Sequence, residues 1–216
     1  AAAAMKAAKA YPDYVDCNAI SPATAKKLAS AFDDMPVNFI DGGLIGLNPV
    51  KENGRTRLYV SGKATALVRQ LDGRGLVVRD LGGEIGRASA MKMVYASSTK
   101  GAFSLFAAVA VMAELTGLRD EIFAELAASQ PHTMATIERM APRIPLDAKR
   151  WIFEMDEIAS TYDAYGMTAH FHQGAADIMK LANQTPLASE TRETAQDNRA
   201  LADVLQLYVD ALRAEG

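Results

Sequence analysis

Residues 81–118 read LGGEIGRASAMKMVYASSTKGAFSLFAAVAVMAELTGL, and the reading of this stretch decides the fold. No proline falls between Glu84 and Thr116, and only Gly86 and Gly101 interrupt a run rich in Ala, Met, Ser and Leu. Such composition favours helix. One helix of that span would be about 50 Å long at ~1.5 Å per residue, more than an ordinary globular body uses. The stretch therefore reads as a helix serving two bodies. Near its start stands Lys92, with Ser89, Tyr95, Ala96 and Thr99 three, four or seven positions away and so on one helical face. By spacing alone, a surface lysine accounts for this equally well.

The chain before the helix alternates short apolar runs with turn residues. Tyr14–Cys17 reads as a strand and Asn18–Pro22 as a turn, with Ser21 as N-cap and Pro22 at the first position of a helix running to about Phe32. Asn38–Asp41 is a second strand ending in Gly42-Gly43, followed by a loop with Asn48, Pro49, Asn53 and Gly54. Arg57–Ser61 is a third strand, Lys63–Leu71 a helix and Leu76–Arg79 a fourth strand. Strand, helix, strand at this spacing predicts a mostly parallel sheet with right-handed crossovers. Residues 1–10, AAAAMKAAKA, are helix-prone without a capping signal at their front, an opening that leads us to expect an upstream piece.

After the helix the pattern is helical throughout: Leu118–Ala128, Pro131–Met140, Leu146–Tyr165, Thr168–Asn183 and Leu187–Ala214, punctuated by Gly117, Pro131, Pro142, Gly166 and Pro186. Trp151, Met155, Ile158 and Tyr162 form an apolar stripe. The expected fold class is α/β followed by all-α, divided as residues 1–83 and 84–216.

Of 216 residues, 50% are hydrophobic and 23% charged, enough for one large or two small cores. The net charge of −3, without a Lys/Arg run or basic-aromatic strip, argues against nucleic acid as a main partner. The longest uncharged apolar run, Gly101–Ala113, falls short of the ~20 residues a membrane span needs, so no membrane partner is expected. No signal peptide is evident. The single cysteine, Cys17, cannot form an intramolecular disulfide, and a cytoplasmic, reducing compartment is the simplest expectation. It reads as a small packed residue rather than a nucleophile.

Two glycine clusters share a form, Gly42-Gly43-Leu44-Ile45-Gly46 and Gly82-Gly83-Glu84-Ile85-Gly86. Neither is the GxGxxG of a dinucleotide-binding turn. The second precedes the long helix and could hold an anion at that N-terminus, although flexible turns explain both. His132, His170 and His172 lack metal-ligand spacing, and no metal is assigned. Lys92, two turns into the helix, would feel the positive helix end and any burial. Both disfavour the ammonium and suit an acid/base catalyst.

The segments YVDCNAISP, FIDGGLIG, RLYVSG, LGGEIGRASAMKMVYASSTKG and AKRWIFEMDEIASTYDAYG, in that order, resemble the β-hydroxyacid dehydrogenases. That superfamily includes the 3-hydroxyisobutyrate and 6-phosphogluconate dehydrogenases. The likeness is closest to a 6-phosphogluconate-dehydrogenase-like branch with a poorly characterised C-terminal domain. The resemblance implies a partial Rossmann-type parallel sheet in residues 1–83, a long interdomain helix and a C-terminal helical bundle. It further implies NAD or NADP as cofactor, a small hydroxy acid as substrate and a homodimer formed through the helical domain. Lys92 stands where the family's catalytic lysine stands. Asn18 and Ser21 match the loop beside the nicotinamide, and Gly43, Ile45 and Gly46 match the substrate-holding turn.

The departures carry information. The family's first βαβ unit with its GxGxxG is not in this chain. A serine-glycine-glycine of many members becomes Ile45-Gly46-Leu47, a common asparagine becomes Ala96, and a frequent Lys-Asp pair becomes Phe153-Glu154, which leaves Glu154 as a substrate contact. A less polar substrate than a sugar phosphate follows. Two alternatives remain open: C=N reduction as in imine reductases, which share this architecture, and a non-catalytic, truncated dimerisation module.

Overall fold

The computed structural model describes residues 1–47, 55–196 and 199–214. The loop expected around Asn48, Pro49, Asn53 and Gly54 lies outside the described residues.

A short helix α1 (Ala2–Ala8) precedes β1 (Tyr14–Asp16). Helix α2 (Pro22–Ser30) then starts at Ser21, whose hydroxyl accepts from the Thr24 backbone N–H at 3.2 Å with Pro22 behind it, as the sequence predicts. Strands β2 (Phe39–Ile45), β3 (Arg57–Ser61) and β4 (Val77–Asp80) complete a sheet of order β1-β2-β3-β4. The expected mostly parallel sheet is mixed: β1–β2 and β3–β4 run parallel, whereas β2–β3 run antiparallel. Residues 46–56 are too few to carry a parallel crossover, which takes a dozen residues or more, so the chain turns straight back. The expected helix Lys63–Leu71 shortens to α3, Ala66–Arg69. The Thr65 hydroxyl is drawn to Asp80 (2.5 Å), and Gly73 and Gly75 adopt positive φ directly afterwards.

One face of the sheet buries Ile40, Leu58, Val60, Val68 and Val78. A second cluster holds Phe32, Met35 and Phe39, with Tyr14 stacked on Phe32 at 5.1 Å.

The alanine-rich stretch is helical from Arg87 to Leu115: α4 (Arg87–Ala96), a π-helical turn (Ser97–Gly101) and α5 (Ala102–Leu115). By length and composition alone, this 29-residue helix could cross a membrane, a criterion that the core helix of a soluble protein also meets. The sequence count stopped at the charged Lys100 and Glu114; the helix runs through Lys100.

The chain divides into two compact units, Ala1–Tyr95 with Ser160–Gly166, and Ala96–Ala159 with Met167–Gly216. The division falls inside the helix rather than at residue 83, because the first turns of α4 are bonded to the sheet. The second unit contains α5, α6 (Arg119–Ser129), α7 (Pro131–Met140), most of α8 (Ile144–Ala164), α9 (His170–Gln184) and α10 (Leu201–Ala214). Helix α5 packs against α6, α7, α9 and α10 through buried Ala107, Ala110, Val111 and Ala113, and the Ser104 hydroxyl donates to the Ala175 carbonyl at 3.3 Å. Tyr208 of α10 is fully buried and donates to the Ala141 carbonyl at 3.0 Å; burial pushes its phenol far above the ordinary range.

The expected helix Leu187–Ala214 is two pieces, a 3-10 turn (Pro186–Ser189) and α10. Glu190 is extended (φ −80°, ψ 155°) with its carboxylate on Arg199, and the polar residues after it lack an apolar face to bury.

Candidate functional site

Asp41 ties β2 to the lysine helix. Its side chain is buried at 1% exposure and accepts four hydrogen bonds: from the backbone N–H groups of Gly86 (2.9 Å) and Ser89 (3.0 Å), and from the hydroxyls of Ser89 (2.6 Å) and Ser61 (2.9 Å). Ser61, on β3, also accepts from the Ala88 N–H at 3.1 Å. Three donors at the start of α4 are thereby satisfied from within the chain. The sequence reading left this helix end open to an external anion; the carboxylate it holds is Asp41.

Two residues along the same face of β2 comes Gly43. Any Cβ there would lie 2.7 Å from the Ala88 carbonyl oxygen and 3.2 Å from Cβ of Lys92. Only glycine lets the helix approach this strand so closely. Lys92, three residues beyond Ser89, therefore stands on the helical face turned toward β2 and is half-buried. Gly42 performs the same service toward β1, where a Cβ would lie 2.8 Å from both the Asp16 carbonyl oxygen and Cys17 Sγ. Burial is the main cause raising the Cys17 thiol above its ordinary range, and the nearby charges of Asp16 and Asp41 raise it while Lys92 opposes them. Cys17 is thus a packed thiol near Lys92, with no activation toward thiolate.

Lys92, Gly43 and Cys17 all lie toward the carboxyl ends of the parallel pair β1–β2: Asp16, the last residue of β1, pairs with Asp41, and β2 runs on through Gly43 to Ile45. That is the end at which α/β sheets bind ligands. Ile45 is buried at 4% exposure and, by strand alternation, shares the face of Asp41 and Gly43. Gly46 follows with φ 127°, a conformation that suits glycine.

In the turn after β1, Asn18 is exposed. Its backbone N–H and side-chain amide N–H donate to the two Asp16 carboxylate oxygens at 2.9 and 3.0 Å, which leaves the amide oxygen as an acceptor. Ser21 is buried at 1% exposure and engaged with Thr24, so it shapes the turn.

Glu154 lies in the second unit. It is buried at 2% exposure, with one carboxylate oxygen 2.6 Å from Lys100 Nζ and the other on Arg150. Lys100 belongs to the π-helical turn and lies over the Trp151 ring at 5.7 Å. Such turns are rare and frequent at functional positions. Sequence reading missed Lys100; the single charge between Lys92 and Glu114 was the available signal. It also missed the joint role of Asp41, Ser61 and Ser89, which are separated too widely for any motif to link them.

Among the described residues no group of His, Cys, Asp and Glu could hold a metal ion. His172 is buried, and burial lowers its imidazole below the ordinary range, whereas His170 bonds Gln173 at the surface. A cavity of about 650 Å³ in the first unit is lined by Pro22, Ile85, Lys26, Arg87, Glu84 and Tyr165, among others. Its charged groups are exposed and of both signs, and no buried polar side chain lines it, so it holds no anchoring chemistry.

The chain shares its fold with solved proteins, one of them described as structurally similar to 3-hydroxyacid dehydrogenases. Residues 113–182 match the model of a domain of unknown function, DUF1932. A conserved hypothetical protein from Sinorhizobium meliloti superposes with a TM-score of 0.69 at 20% identity, over 91% of this chain and 65% of that one. A conserved protein of unknown function, described as structurally similar to 3-hydroxyacid dehydrogenases, gives 0.55 at 22% identity, over 99% and 70%. The 3-hydroxyisobutyrate dehydrogenase of Salmonella typhimurium gives 0.57 at 17% identity, over 89% and 68%. An uncharacterised 28.5 kDa protein of Methanothermus fervidus is 29% identical over 109 residues, which is 50% of this chain and 41% of that protein. The chain thus spans less than half of this curated relative and about two thirds of the first solved structure.

Proposed function

We propose that the protein is an NAD(P)-dependent oxidoreductase of the β-hydroxyacid dehydrogenase type, with Lys92 as general acid/base. The observation that carries this reading is the seating of Lys92: a rigid helix bonded to the sheet holds it against Gly43 at the carboxyl end of the parallel strands. A dinucleotide bound there supplies the hydride acceptor or donor. The exposed Asn18 amide oxygen fits an amide donor of such a group, and Ser21 holds the turn that presents it. As a neutral amine, Lys92 takes the substrate's hydroxyl proton; in the reduction its ammonium returns the proton to the forming alkoxide.

Gly43 and Gly46 keep backbone near the reacting group, and buried Ile45 supplies an apolar wall on that face, which supports a small hydroxy acid of low polarity.

The test is turnover by the wild-type protein and by Lys92→Ala, with NAD(H) and NADP(H), on parallel panels of hydroxy acids and cyclic imines. Loss of about 10² or more on a hydroxy acid in the variant supports the reading. Wild-type rates in the variant refute it, and turnover confined to imines moves the chemistry to C=N reduction.

The assembly proposed is a homodimer through α5. That helix leaves Leu105 and Met112 exposed at 60% and 54%. A monomer mass by light scattering refutes this.

A further inference from the structure

We propose that Asp41 is a positioning residue for Lys92: it sets both the rotation and the height of the lysine helix, and thereby where the amine stands. The inference rests on the acid/base reading of Lys92 and adds a residue to it.

The argument is geometric. An ordinary N-cap makes one or two bonds to the first turn and leaves the helix free to tilt. Here one carboxylate receives Gly86 N–H, Ser89 N–H and Ser89 O–H, while the Ser61 hydroxyl bonds that carboxylate and accepts from Ala88 N–H. Contacts to three residues of one turn fix the rotation as well as the height. Ser89 and Lys92 are three residues apart on α4 and share a face; Asp41 and Gly43 are two apart on β2 and share a face. The two elements therefore meet twice, at Asp41 with Ser89 and at Gly43 with Lys92. The bond at the first meeting decides the register of the second. A rotation by one residue, about 100°, would carry Lys92 off the strand altogether. The side chains of the clamp, Asp41, Ser61 and Ser89, are buried and its other groups are backbone, so water does not compete for them.

A capping role alone predicts lost stability and nothing else. Positioning predicts in addition that Lys92 itself changes while the fold survives. The test introduces Asp41→Asn, Ser89→Ala and Ser61→Ala, and labels the lysines by reductive ¹³C-methylation. The Lys92 signal is identified by its absence in Lys92→Arg. In folded Asp41→Asn the Lys92 resonance and its titration midpoint shift, and kcat falls at least about tenfold with KM changed far less. Ser89→Ala, which removes one bond of four, gives a smaller change in the same direction, and Asp41→Glu restores part of the loss. A folded Asp41→Asn with the wild-type Lys92 resonance and titration overturns the proposal. If Asp41→Asn does not fold, Ser89→Ala and Ser61→Ala decide by the same resonance, and an unmoved signal in both overturns it. Full turnover by Lys92→Ala would instead remove the acid/base reading, while the resonance would still report on the clamp.

Discussion

Replacing Gly43 with alanine tests the close approach on which the site depends. The strand conformation at this position suits any residue, so the substitution adds a methyl group without backbone strain. That methyl would sit 2.7 Å from the Ala88 carbonyl oxygen and 3.2 Å from Lys92 Cβ. Ordinary contact begins near 3.4 Å, so β2 and α4 must separate locally by about 0.7 Å. The obstructing atom is helical backbone, which cannot swing aside as a long side chain could. The same movement stretches the Asp41 bonds to Gly86 and Ser89, which start at 2.9 and 3.0 Å. Overpacking of this kind costs about 1–3 kcal/mol, and the added stretch places the expectation near ~2 kcal/mol. Urea unfolding should show a lower midpoint at unchanged slope. On the proposed acid/base role of Lys92, turnover should fall by about tenfold or more, because displacing such a group by up to ~1 Å is expensive. Stability within about 0.5 kcal/mol of wild type would refute the claim that glycine is needed here for closeness.

Three further outcomes follow from the same geometry. Gly174, in α9, has open space where a Cβ would stand, so Gly174→Ala should raise stability by about 0.5–1 kcal/mol in the same urea assay; this is the opposite sign to Gly43→Ala. Lys100→Met removes a partner from buried Glu154; Arg150 still pairs with the carboxylate, so the loss should sit near the lower end of the range for a broken buried pair, about 3 kcal/mol, measured by chemical denaturation. Burial holds the His172 imidazole neutral in the folded chain, with its folded value below the unfolded one. Its contribution is complete above the unfolded value near 6.5 and is lost as pH falls through that value toward the lowered one. Wild type should therefore lose more stability between neutral and mildly acid pH than His172→Gln does.

Much of this could be read from residue order because local chemistry fixed it. Ser21-Pro22 announces a helix start in any context, since the hydroxyl reaches a backbone N–H three residues on. The span from Arg87 to Leu115 is helical because nothing in it breaks a helix, and its lysine falls on the face of Ser89 by the helical period alone. The polar residues 191–196 misled for the same reason in reverse: they contain no breaker, yet they have no apolar face to pack, so they do not remain helical.

What residue order could not supply was pairing over distance. Whether β3 would run with β2 or against it depended on the connection being too short to cross over. The burial of Asp41 depended on Ser61, Gly86 and Ser89 arriving from 20, 45 and 48 residues away. An isolated carboxylate reads as surface charge, because burying it without partners is prohibitively costly. Only the folded chain brings four donors around it. That assembly turns a glycine-rich turn, an aspartate and two serines into the seat of one lysine.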